Sequence, residues 1–132
     1  MKNAILLFAF ASLVLIGCTN RNHTSNIQVV DYNDASITVN ISDPKPDYTA
    51  IYHLLFRGFP ESNQKTPLIS TSEEEIEKQH PEYFRKFFEE KRYKTFITSS
   101  SKNASKGQQV TINLRALKAD LEQNSIIRKF GY

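Results

Sequence analysis

The opening of the chain constrains it most. Lys2 is followed by an apolar run from Ala4 to Ile16, broken only by Ser12, and the run closes on Gly17 and Cys18. As a helix, about 13 residues reach roughly 20 Å, whereas a bilayer takes about 20 residues to cross. The run is too short for a permanent span. It has the make-up of a secretion leader instead: a positive start, an apolar core and a small residue ahead of the cut. The remainder of the chain is one domain's worth, long enough to bury roughly two thirds of its unfolded surface. Cys18 is the single cysteine in 132 residues. No disulfide framework is available within the chain, so a core must hold the domain.

The segment Leu15-Ile16-Gly17-Cys18 resembles the lipobox of bacterial lipoprotein precursors, in which an apolar pair and a small residue precede an obligatory cysteine. The resemblance covers the first 18 residues and carries no implication for the fold beyond them. It implies that residues 1–17 are a lipoprotein signal peptide and that the Cys18 thiol carries a diacylglycerol. It also implies a new N-terminus acylated in turn, commonly with palmitate. One acyl chain binds a membrane marginally, at about 0.8 kcal/mol per buried methylene, while two or three hold durably. The resemblance further suggests an address. Thr19 stands where inner-membrane retention signals carry Asp, and no acidic residues follow the cysteine. Both point to the outer membrane, periplasmic face. Residues 18–26 are polar without apolar periodicity and read as a flexible tether; residues 27–132 read as a single domain.

Within that domain two periodicities alternate. Ile27–Val30 is β-prone, Asn33-Asp34 marks a turn, and Ile37, Val39 and Ile41 alternate with Thr38, Asn40 and Ser42 as in a half-buried strand. Asp43-Pro44-Lys45-Pro46-Asp47 ends the strand, since prolines cannot donate to a ladder. Tyr48–Phe59 is nearly all apolar and rich in aromatic and β-branched residues, which favours a strand covered on both faces; a short buried helix is the rival reading. Gly58–Ser70 reads as a loop. Ser72-Glu73-Glu74-Glu75 matches a capping box, and Pro81 interrupts the helix or opens a second one. Phe84, Phe87 and Phe88 then fall on one helical face beside Tyr83. Tyr93–Thr98 turns β-like, 99–107 is a polar loop, and Val110, Ile112 and Leu114 alternate again, predicting a hairpin. Leu114, Leu117 and Leu121 predict a helix over 114–123 that stops at Asn124. The apolar tail 126–132 should pack as a final strand or arm. The expected fold is α+β: an antiparallel sheet of about five strands with two helical segments on one face.

Function is less legible. Lys and Arg number 17 against 14 Asp and Glu, a balance that gives no reason to expect nucleic acid as a partner. Nucleophile elbow, P-loop, dinucleotide fingerprint and H-E-x-x-H motifs are all missing. His80-Pro81-Glu82 has the outline of a deaminase H-x-E but lacks its paired cysteines. His23, His53 and His80 are too far apart in sequence to suggest ligand spacing, so no metal or cofactor is expected. The expectation is a non-catalytic binding or assembly module, held to the membrane by its N-terminal lipid and contacting another envelope protein. Its candidate partner surface comprises Phe59, Tyr83, Phe84, Phe87 and Phe88, together with the loop 58–70. The runner-up is a glycan or cell-wall binder which, with no Trp in the chain, would rely on Tyr48, Tyr52, Tyr83, Tyr93 or Phe59. The third reading is a small periplasmic hydrolase built around His53 or His80 and a carboxylate.

Overall fold

A computed structural model describes residues 26–104 and 107–129. The leader, Cys18 and most of the tether lie outside the described residues. Strands β1 (Asn26–Tyr32), β2 (Ser36–Ser42), β3 (Ile97–Lys102) and β4 (Gln108–Asn113) form one antiparallel sheet in the order β1-β2-β4-β3. The protein is therefore α+β with an antiparallel sheet, of four strands rather than five. The alternation in β2 and β4 does what a period of two requires. Ile37, Val39, Ile41, Val110 and Ile112 all point to one face and are buried, while Thr38 and Thr111 meet on the other through a 2.9 Å hydroxyl contact. A bulge between Val29 and Asp31 breaks the register of the β1 edge and leaves Val30 exposed, a common protection against edge-to-edge pairing.

The expected strand at Tyr48–Phe59 is a helix, α1 (Pro46–Phe56). The sequence pattern misleads because α1 is covered on two sides. Ala50, Ile51, Leu54 and Leu55 face the buried core, and the helix packs on β2 and β4. Tyr48 and Phe56, on another side, meet Phe88 and Phe84 with ring centroids 5.4 and 6.3 Å apart. A helix sandwiched between a sheet and an aromatic layer has little polar face left to betray its period. Pro46 at its first turn supplies the φ a helix start needs. Gly58, at φ +80°, turns the chain away after the helix.

Among the described residues, four α-helices replace the two expected segments. Ser72 caps α2 (Glu73–Gln79) by accepting the Glu75 N–H at 3.3 Å, as its motif predicts. Pro81 opens α3 (Pro81–Phe84), which widens into a π-helical turn, Arg85–Glu89. A 3₁₀ turn (Arg92–Phe96) leads into β3, so the β-like stretch begins later than expected, and much of the expected polar loop, from Ser99 to Lys102, is strand. Helix α4 (Leu114–Gln123) has the predicted bounds and buries Leu114, Leu117 and Leu121; Asn113 caps its start and Asn124 its end. Ile126 packs into the core as a short arm, and the tail adds no strand among the described residues.

Candidate functional site

The aromatic residues expected to form a partner surface are mostly interior. Phe59 and Phe84 are nearly buried and Phe87 is fully so. Presenting them to a partner would mean opening the core, a cost of about 3–5 kcal/mol for each ring removed. The half-buried Tyr83 is committed elsewhere. Its hydroxyl donates to Asp120 Oδ2 at 2.7 Å, and Arg92 closes both oxygens of that carboxylate at 2.8 Å each. The Arg92 guanidinium also lies 5.1, 5.7 and 5.9 Å from the ring centres of Tyr83, Phe87 and Phe96. This cluster rivets α3, the 3₁₀ turn and α4 together. Burial pushes the Asp120 carboxyl up, but the hydrogen bonds from Arg92 and Tyr83 outweigh it and hold the group below its ordinary value. The Tyr83 phenol is pushed up by burial and by its bond to Asp120.

Of the five, Phe84 and Tyr83 each border a smaller depression, and Phe88 borders a larger groove. As its neighbour along the helical turn, Phe88 points to a different side from Phe87, so that one ring enters the core while the other forms part of this groove of about 390 Å³. Tyr48 and Tyr93 join it; they stand edge to face at 5.8 Å. Lys45, Lys91 and Lys94 rim the groove, and Asp47 is the one acidic residue in it. Lys91 is held there by a left-handed backbone, φ 59°, which breaks the π-helical turn and redirects the chain into the 3₁₀ turn. No ion pair among the described residues uses these three lysines. Asp47 is itself engaged, accepting from Ser100 Oγ at 2.7 Å. Burial and then Asp47 raise the Tyr93 phenol, while burial and then Glu73 raise that of Tyr48. Both hydroxyls are neutral donors at physiological pH. The groove can receive an anion over a rim of ammonium groups and a ring-bearing or apolar part over its floor.

Of the five residues expected for a glycan site, Tyr48 and Tyr93 come together in this groove, and the lysines were missed. The signal was present in Lys91-Arg92-Tyr93-Lys94, a basic and aromatic tetrapeptide. Tyr52 lies outside the groove with its hydroxyl on Glu73. His53 rests parallel to the Phe59 ring at 6.3 Å, and burial followed by the nearby Arg57 lowers its pKa. His80 sits at the junction of α2 and α3, so the two histidines are not brought into one cleft. No group of three or more His, Cys, Asp or Glu able to hold a metal occurs among the described residues. No helix among them is long and apolar enough to cross a membrane. Comparisons with family models, curated proteins and solved structures found no match for this chain.

Proposed function

We propose that this chain is the precursor of a lipid-anchored cell-envelope protein whose folded part is a non-catalytic binding or assembly module, carried on the periplasmic face of the outer membrane. The observation that supports this most is the coincidence of Lys2, the short apolar run and Leu15-Ile16-Gly17-Cys18 ahead of a polar stretch. The folded part agrees with a binding role. One of its surface grooves carries recognition chemistry, rings and ammonium groups, rather than a nucleophile paired with a base. Metabolic labelling with an alkyne palmitate, in wild type and a Cys18→Ala variant, tests the anchor. Wild type should take up the label and fractionate with membranes. The variant should take up no label and should keep its leader, seen as a larger mass. A variant that takes up the label, or loses its leader, to the same extent as wild type would refute the proposal.

A second reading, glycan binding, is favoured by the meeting of Tyr48, Phe88 and Tyr93 in one groove, since aromatic floors suit sugar rings. Retention of the protein on peptidoglycan, lost on Tyr48→Ala, would select it.

A further inference from the structure

Strand register fixes which end of the domain meets the tether. Asn26, the first residue of β1, pairs with Ser42 at the end of β2. Ile41 pairs with Gln108 at the start of β4, and Gln108 with Lys102 at the end of β3. These residues form one row across the sheet, and α1 starts four residues beyond Ser42. The groove lies at this end, because Gln108 and Pro44 to Tyr48 line it. The chain enters the domain beside the groove. The peptide units from Cys18 to Asn26 span at most about 28 Å when fully extended, so a lipid on Cys18 keeps this end of the domain close to the headgroups.

The charge at this end suits that position. Lys45, Lys91 and Lys94 rim the groove and the exposed Lys102 stands beside a smaller depression next to it. Asp47 and Asp43, bonded to Ser100 and to the Lys45 N–H at 2.8 Å, and Glu73 and Glu77, whose charges reach Tyr48, offset part of this positive charge. The half-buried Tyr48 and Phe88 give the same end aromatic side chains of the kind enriched at membrane–water interfaces, packed over the buried Tyr93.

From this juxtaposition we infer that the tethered end of the domain is a membrane-docking face: it rests on anionic phospholipid, with a phosphate-bearing headgroup seated in the groove between Lys45, Lys91 and Lys94. The inference rests on the lipid-anchor reading but is tested apart from it. Lipid attachment would hold the domain near the bilayer, and the lysines would fix its orientation there. Each lysine near an anionic surface adds about fivefold to partitioning, and the attraction fades over a Debye length as salt is added.

The test uses the chain from residue 18 with Cys18→Ser, which bears no lipid. All its core residues lie between Ile37 and Ile126, so the fold is kept. Binding is measured by co-sedimentation with vesicles of phosphatidylcholine alone or with a quarter phosphatidylglycerol. Binding to the anionic vesicles only is expected, weakening from low to high salt. A Lys45→Gln, Lys91→Gln, Lys94→Gln variant should bind roughly 100-fold less, with an unchanged circular dichroism spectrum. An Arg57→Gln, Lys65→Gln variant, altered at the other end of α1, should bind like the parent. Three results would each overturn the inference: equal binding to neutral vesicles, equal loss in the two variants, or no vesicle binding alongside binding to alginate, a soluble anionic glycan. None of these depends on whether Cys18 is acylated in the cell. A failure of the palmitate experiment therefore remains distinguishable from a failure of this one.

Discussion

Replacing Asp120 by Ala should be among the most damaging changes outside the apolar core. Its carboxylate holds two guanidinium bonds of 2.8 Å and one phenol bond of 2.7 Å. Hydrogen bonds to charged groups contribute about 1.5–3 kcal/mol each. The pair is partly wet, with the Arg92 side chain 34% and that of Asp120 17% exposed, and screening reduces the sum. Removal of one partner from a fully buried pair costs about 3–5 kcal/mol, so about 2–4 kcal/mol is expected here. For a domain of this size that is a fall in Tm of roughly 8–16 °C. Because the folded pKa of Asp120 lies below its unfolded value, its stabilisation is complete above the ordinary aspartate pKa near 4 and is lost as pH falls through the folded value. Urea denaturation at pH 7 and pH 3 measures both claims, and the cost of Asp120→Ala should be smaller at pH 3. A double-mutant cycle with Arg92→Met, which keeps the stem over the rings, should give a coupling of about 1–3 kcal/mol. A loss under about 0.5 kcal/mol at pH 7, or a coupling near zero, would refute the rivet.

Gly58→Ala should destabilise by more than the roughly 1 kcal/mol of a left-handed backbone alone, because the added Cβ would overlap the Lys65 carbonyl; thermal melts would show it, and a change within about 0.5 kcal/mol would contradict it. Ser72→Ala removes the cap of α2 and should cost about 1 kcal/mol, with Ser72→Asp restoring it in the same melts. His53 should titrate below 6.5 by NMR, because burial and Arg57 both oppose its charge. Its folded pKa being depressed, its contribution is intact above 6.5 and falls away as pH drops below that value. A midpoint at or above 6.5 would show the ring to be better solvated than the fold implies.

Much of the fold was legible because local and tertiary preferences agree. In α4 the leucines at 114, 117 and 121, the Asn113 cap and the Asn124 stop all specify one helix, and the structure has it with the same bounds. In α2 the Ser72 motif works as its spacing requires. In β2 and β4 the alternation survives because one face meets the core and the other does not. The reading failed where two faces of one element are covered. From Tyr48 to Phe56 the apolar residues serve the sheet on one side and the Phe84–Phe88 layer on the other, and hydrophobic period cannot then separate helix from strand. The better signal was at the edge of the run. Pro46-Asp47 ends the preceding strand and also starts a helix, with proline in the first turn and an acid beside it.

The site was legible only as residue types. Aromatic residues in a helical stripe pointed to a surface, yet a stripe at that spacing is the usual form of a core, and Phe84 and Phe87 follow the usual form. What sets Phe88 apart is its contact with Tyr93 and with Tyr48 of α1, a partner distant in sequence that no hydrophobic period foretells. The lysines escape sequence reasoning for a different reason. Lys45 lies beside β2's end and Lys91 and Lys94 come more than forty residues later, so only the sheet register and the α1 start bring them to one rim. The same register puts the first residue of β1 at the same end of the sheet as that rim. The groove lies at the end of the domain from which the chain leaves towards Cys18, and under the proposed lipid anchor the membrane would be the nearest anionic surface it could meet.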